Sequence, residues 1–171
     1  IVASGPNTAN PHAVPSDRVI EKGDFVLMDY GAGYCDYRSD MTRTVVMGEP
    51  TQGQLDLYAL VRRTHEECVA AIHPGVEGND IFKLSKKIIG DAGYGDYYNH
   101  GLGHGVGIDI HELPNFNRSK NIIEVGSVIT MEPGVYLPGV GGVRLEDYGV
   151  VTENGYEPFT KTPHDLHVID C

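Results

Sequence analysis

The chain has 171 residues, 40% of them hydrophobic, enough for one domain with a core and too many for a disordered segment. Its 24 acidic residues outnumber 13 basic ones, and the net charge of −11 argues against nucleic acid or an anionic membrane surface as partners. Three cysteines, Cys35, Cys68 and Cys171, form no CxxC pair, so neither a disulfide framework nor a zinc ribbon is indicated, and a reducing, cytoplasmic setting fits. No signal peptide or membrane-spanning run is apparent. The opening Ile1-Val2-Ala3-Ser4, without an initiator Met, reads as part of a longer chain.

In chain order, residues 1–4 read as a short strand, 5–15 as a turn-rich stretch holding His12, and 16–23 as a polar connection. Phe25-Val26-Leu27-Met28-Asp29-Tyr30-Gly31 is strand-like until the aspartate, and Asp40 opens Asp-Met-Thr-Arg-Thr-Val-Val, again of strand composition. Folding these back about Tyr34-Cys35 puts Asp29 opposite Asp40. Two carboxylates so placed repel each other unless a cation lies between them. A register shifted by one would instead leave both aspartates at a loop or edge.

A helix follows, opened by the Thr51-x-x-Gln54 capping box and carrying Leu57, Leu60, Val61, Cys68 and Ile72 on one stripe until Pro74-Gly75. A second helix is expected after the N-cap Asn79, burying Ile81, Phe82, Leu84, Ile88 and Ile89 and ending at Gly93. Residues 97–114 are rich in glycine and histidine, and the glycines argue against a helix. Their histidines, His100, His104 and His111, lack the His-Glu-x-x-His spacing of a zinc helix. A polar loop spans 115–124. Strands follow at 127–131, 143–147 and 148–152, with turns at Pro138-Gly139 and Asn154-Gly155, and the tail 160–171 is weakly patterned. No repeat, linker or second domain is seen.

The second hairpin repeats the logic of the first. A fold about Pro138-Gly139 brings Glu132 opposite Glu146, with Arg144 on the face of Glu146. Singly, each histidine reads as a surface or hydrogen-bonding residue, Glu-Pro-Gly as a turn, and Arg-x-Glu-Asp as a solvated edge.

Taken together, the motifs Met-Asp-Tyr-Gly (28–31), Ser-Asp-Met-Thr-Arg-Thr (39–44), His-Gly-Leu-Gly-His-Gly-Val-Gly (100–107), His-Glu-Leu-Pro (111–114), Met-Glu-Pro-Gly (131–134) and Val-Arg-Leu-Glu-Asp (143–147) resemble the catalytic half of the pita-bread metallopeptidases, the group of methionine aminopeptidase, aminopeptidase P and prolidase. The resemblance implies an α+β fold, a curved antiparallel sheet with helices on its outer face. It implies five ligands to a dinuclear centre: Asp29, Asp40, His104, Glu132 and Glu146, with Asp40 and Glu146 bridging. Such an oxygen-rich set suits two divalent ions, Mn²⁺ first, with Co²⁺, Zn²⁺ or Fe²⁺ as alternatives. Two such ions share a water and lower its pKa toward neutrality, giving a hydroxide nucleophile.

His100 and Arg144 resemble the Xaa-Pro-cleaving branch, so the expected reaction is release of an N-terminal residue before proline. By the same resemblance His12, His100 and His111 contact substrate, and His100, His111, Glu132 and Arg144 serve catalysis, Arg144 by orienting the bridging glutamate or a substrate carboxylate. A homodimer is expected at full length. The alternatives are a metal-free peptide-binding module on the same fold, a metal-free hydrolase of the creatinase kind, and a methionine aminopeptidase. The family's catalytic fold normally begins with two helices and a strand ahead of the segment matching Ile1. Residues 1–171 therefore read as an N-terminally truncated catalytic domain, with one side of the sheet short of helical cover.

Overall fold

The computed structural model describes residues 1–118 and 120–170, so Cys171 lies outside the described residues. The first sheet has the order β1-β2-β5-β13, from β1 (Val2–Ser4), β2 (Phe25–Tyr30), β5 (Met41–Met47) and β13 (Val168–Ile169). Between β2 and β5 the hairpin narrows to β3 (Gly33–Tyr34) and β4 (Tyr37–Arg38). Cys35 and Asp36 form its two-residue tip, with φ of 48° and 68°, the positive pair that a type I′ turn requires.

That tip corrects the expected register. The turn centres one residue later than Tyr34-Cys35, so Asp29 faces Thr42, not Asp40. A slip of two residues preserves the face, because side chains alternate with period two. Asp29 and Asp40 remain on one side.

The second sheet has the order β12-β11-β8-β6-β7, from β6 (Gly103–Gly105), β7 (Glu112–Phe116), β8 (Val128–Met131), β11 (Asp147–Thr152) and β12 (Gly155–Pro158). The hairpin of β9 (Gly134–Leu137) and β10 (Gly141–Arg144) continues its register. Val140 N donates to Leu137 O with Gly139 at φ 76°, the expected type II turn. Gly134 pairs with Arg144 and Met131 with Asp147, so one register runs through both segments and sets Glu132 opposite Glu146 as expected. A bridge between Thr42 and Glu146 then joins the two sheets. Asp29, Thr42, Glu146 and Glu132 thus form one row across four strand segments. The pairing of β13 with β5 is parallel, an exception to the expected antiparallel sheet.

Helix α1 (Gln52–Ala70) carries the expected capping box: Gln54 N donates to Thr51 Oγ1 at 3.3 Å and Thr51 N to Gln54 Oε1 at 2.9 Å. It ends before Pro74-Gly75, with Ala71 as its C-cap. Helix α2 (Gly78–Asp91) starts after Glu77 rather than Asn79. Residues at the end of β7 and beyond it set that start, in place of the polar loop expected from 115. Gly78 N donates to Asn121 O, a Cβ on Gly78 would crowd Asn115 O at 2.7 Å, and Asn79 Nδ2 reaches Asn117 O.

The helices cover the outer face of the sheets. Leu57, Tyr58 and Val61 of α1 pack on Phe25, Val46, Val135, Val143 and Leu145. Cys68, Ile72 and Ile81 pack on Phe116, Ile129, Met131 and Val151. Burial pushes the Cys68 thiol up to about 12, so it is an inert core group. At the β1 edge Val2, Val14 and Ile20 are exposed around a shallow groove of about 200 Å³. Among the described residues no helix is long and apolar enough to cross a membrane.

Candidate metal centre and substrate cleft

The strands place the acidic side chains by alternation. Along 143–147, Val143 and Leu145 enter the core under α1, whereas Arg144 and Glu146 turn to the other face. That face forms a cleft of about 670 Å³ lined by Asp29, Asp40, His104, Glu132, Arg144 and Glu146, with His12, His100 and His111 also on its walls. All nine candidate residues from the sequence therefore line one cavity.

At its floor, donor atoms of Asp40, His104 and Glu146 lie within 4.8 Å of one another. His104 sits in a strand whose register shifts between Gly103 and Gly105. Both glycines permit a close approach, since a Cβ on either would collide with the carbonyl of Thr130 or Leu113. Thr130 Oγ1 accepts from His104 N at 3.0 Å and fixes the backbone.

The His104 ring defines what the site lacks. Its Nδ1 lies 3.0 Å from Gly105 O, an acceptor only, so Nδ1 carries the proton and Nε2 presents a lone pair. That lone pair faces Glu132 Oε1 at 3.6 Å and Asp40 Oδ2 at 3.7 Å. The lone pair and the two carboxylates cannot all remain bare acceptors, so a proton or a cation must lie among them.

The pKa shifts agree in direction. Burial pushes the Glu132 carboxyl up to about 8; Asp40 and Asp29 add to this and Arg144 opposes it. Glu146, 2% exposed, is raised well above its usual range by burial and then by Glu132 and Asp40. Asp40 rises to about 6 through burial and the Asp29 charge. Burial lowers His104, so its imidazole is neutral and free to ligate. This donor set fits divalent cations: hard carboxylates too crowded to ionise together, and one neutral imidazole.

Arg144 is the cleft's buried cation, and its contacts differ from those expected. Its Nη2 meets Asp29 Oδ2 at 2.5 Å, and its Nε stands 4.0 Å from Glu132 Oε2. It reaches Glu146 only through Thr42, whose Oγ1 accepts from Arg144 Nε at 3.1 Å and donates to Glu146 Oε2 at 2.6 Å. Arg144 Nη1 also donates to Tyr136 Oη at 3.0 Å. Tyr136 in turn donates to His100 Nε2 at 2.8 Å, and His100 Nδ1 donates to Gly101 O. Burial lowers His100 to about 4, the neutral form this chain of hydrogen bonds needs. His111 stands exposed at the mouth, its ring 4.3 Å from that of His104, and His12 lies at the opposite rim.

Thr42 and Tyr136 were not found by sequence reasoning. Thr42 lies in the quoted Ser-Asp-Met-Thr-Arg-Thr motif, two residues after Asp40 and so on its face, which was a usable signal. Tyr136 had none: its hydroxyl packs against Gly134 and bonds to His100 and Arg144, contacts visible only in the folded chain.

With this geometry in view, known proteins can be set beside the chain. It is 46% identical over 167 residues to a Pyrococcus furiosus protein named Xaa-Pro dipeptidase, covering 97% of this chain and 48% of that one. The prolidase structure from Pyrococcus horikoshii superposes with a TM-score of 0.94 at 44% identity, over 97% of this chain and 48% of that one. The X-Pro aminopeptidase structure from Thermotoga maritima gives 0.96 at 36% identity, over 99% and 48%. The chain thus spans about half the length of these relatives, and it has the pita-bread architecture expected from its motifs. The model of metallopeptidase family M24 matches residues 1–153, and the chain belongs to that family.

Proposed function

We propose that residues 1–171 contribute the catalytic metallopeptidase domain of a protein that hydrolyses the bond between an N-terminal residue and proline, as an Xaa-Pro dipeptidase or aminopeptidase. The observation that carries this reading is the His104 lone pair aimed at two buried carboxylates, an arrangement that calls for bound cations. The names of the relatives supply the substrate class. Asp29, Asp40, His104, Glu132 and Glu146 would hold two divalent ions, Mn²⁺ by the hardness of the set, with Asp40 and Glu146 shared between them. When bound, such ions polarise a carbonyl and supply a water-derived nucleophile at neutral pH.

The chain's own residues do the rest. Glu132, with Arg144 Nε 4.0 Å from its Oε2, is placed to take up a proton and pass it to a departing amine. Arg144 fixes Asp29 by a direct ion pair and Glu146 through Thr42. His100, neutral and tied to Tyr136, offers a fixed ring edge to the proline side of a substrate. His111 and His12 flank the entrance, where a peptide carbonyl would pass.

The net charge of −11 favours a small peptide over nucleic acid as partner, and the unpaired cysteines favour the cytoplasm. The apolar groove at Val2, Val14 and Ile20 is a surface for the remainder of the full-length chain or a second subunit to cover. Full-length protein loaded with Mn²⁺, Co²⁺ or Zn²⁺ is expected to cleave Xaa-Pro dipeptides, Xaa-Pro-Yaa peptides, or both. Cleavage of neither, in protein shown to hold metal, would overturn the reading. Protein that takes up no divalent metal would point to the peptide-binding alternative.

A further inference from the structure

On the face of the sheet opposite the cleft a second set of donors converges. Asp147 follows Glu146, and strand alternation sends its carboxylate toward α1. Asp147 Oδ1 accepts from Arg43 Nη2 at 2.6 Å. Its Oδ2 lies 2.6 Å from His164 Nε2 and 3.4 Å from His65 Nε2. His65, on α1, is 2% exposed, and neither of its ring nitrogens has a hydrogen-bond partner. Its Nε2 is near the carboxylate but off the line that an N–H···O bond requires. The His65 and His164 rings meet edge to face, 4.9 Å apart.

We propose that His65, Asp147 and His164 form a separate zinc-class cation site that ties the C-terminal tail to α1 and β11. A fully buried imidazole with both nitrogens unpartnered is rare in folded proteins. His164 Nε2 is hydrogen-bonded to Asp147 Oδ2 at 2.6 Å, but the buried His65 ring bonds to neither, and the three donors lie within 4.8 Å of one another, which leaves a place for an ion that takes over the His164 contact and engages His65 as well. Tetrahedral zinc, with bonds of about 2.0–2.1 Å, spaces its donors about 3.3 Å apart. The His65–Asp147 separation already matches, and His164 need only retreat by less than about 1 Å. Its side chain is 28% exposed, which leaves it room to move and opens a path for the ion. Burial holds His65 neutral, the ligating form. Arg43 on the other carboxylate oxygen fixes the orientation of Asp147, as the outer hydrogen bonds of a metal ligand do. Two imidazoles and one carboxylate suit a borderline ion, unlike the oxygen-rich cleft. The site rests on none of the residues proposed for the reaction.

The test uses full-length protein loaded with Zn²⁺, desalted, and assayed for zinc per chain by plasma mass spectrometry. His164→Ala and His65→Gln are each expected to hold one zinc fewer than wild type. His104→Ala is expected to lose zinc from the cleft and keep this one, so a failure of either site is told apart from a failure of the other. Crystals of the zinc-loaded wild type should give an anomalous peak among the three side chains, a result that needs no variant to fold. Equal zinc in wild type, His164→Ala and His65→Gln, or the absence of that peak, would overturn the proposal.

Discussion

Glu146 and Asp147 are adjacent in the chain, each 2% exposed, yet their carboxylates have opposite fates. Burial raises the proton affinity of Glu146 far above normal, the charges of Glu132 and Asp40 add to it, and the Thr42 hydroxyl only partly opposes them. Burial alone would raise Asp147 as well, but His164, His65 and Arg43 outweigh it and hold that group below the usual range. Depth therefore does not settle the charge of a buried acid; its partners do. On one face Arg43 pairs with Asp147, and on the other four carboxylates share the buried Arg144, with Arg38 exposed at the rim. A buried acid without enough internal cation marks a place where one is brought in.

The contrast can be tested from both sides. In full-length protein Glu146→Gln should lower the proposed Xaa-Pro hydrolysis by about 10³-fold, equivalent to several kcal/mol of transition-state stabilisation. In metal-stripped protein the same change should raise the melting temperature, because folding no longer has to protonate a carboxyl that is ionised in the unfolded chain. A lowered melting temperature would break the comparison. Asp147→Asn should do the reverse, costing about 3–5 kcal/mol in denaturant unfolding by leaving Arg43 buried and unpaired.

A third test concerns His100, whose neutrality keeps the cleft short of positive charge. Its folded-state pKa lies near 4, below the unfolded value of about 6.5. Between those values the unfolded chain binds more protons, so its contribution to stability is lost as pH falls from about 6.5 to 4, by at most about 3 kcal/mol. Unfolding curves for His100→Gln in chelator should lie flatter over that window than those of wild type. Parallel curves would mean that His100 charges in the folded state and that the cleft is less cation-poor than drawn. The smallest expected effect belongs to Thr42→Val, which should weaken metal binding about 10–100-fold in a competition titration while leaving the fold intact.

The two hairpins show how much of the centre was legible in the chain. Pro138-Gly139 names its own turn, and counting outward from it pairs Glu132 with Glu146 correctly. The first hairpin has no such marker: its tip, Cys35-Asp36, adopts positive φ without a glycine, so counting began one residue early. The error left the face unchanged, and Asp29 and Asp40 still line one cleft. The capping box at Thr51 was legible because both partners are local. The start of α2 was not, because a distant segment sets it through Asn121 and Asn115. For the same reason the Thr42 link and the Arg43 contacts were hidden, since each joins residues about a hundred positions apart.

The bridge between Thr42 and Glu146 has a consequence for how such a protein diversifies. Because the acidic side chains hang from consecutive rungs of hydrogen-bonded backbone, their spacing is dictated by the repeat of the lattice and not by any loop. The hairpin end at residues 33–38 projects beyond those rungs, tied to the 105–110 segment where Arg38 N donates to Gly107 O, with Tyr34 and Tyr37 largely in solvent while Gly33 and Arg38 reach the cleft rim. Mutational drift at this overhang can reshape the mouth of the cleft while the carboxylate floor beneath keeps its dimensions.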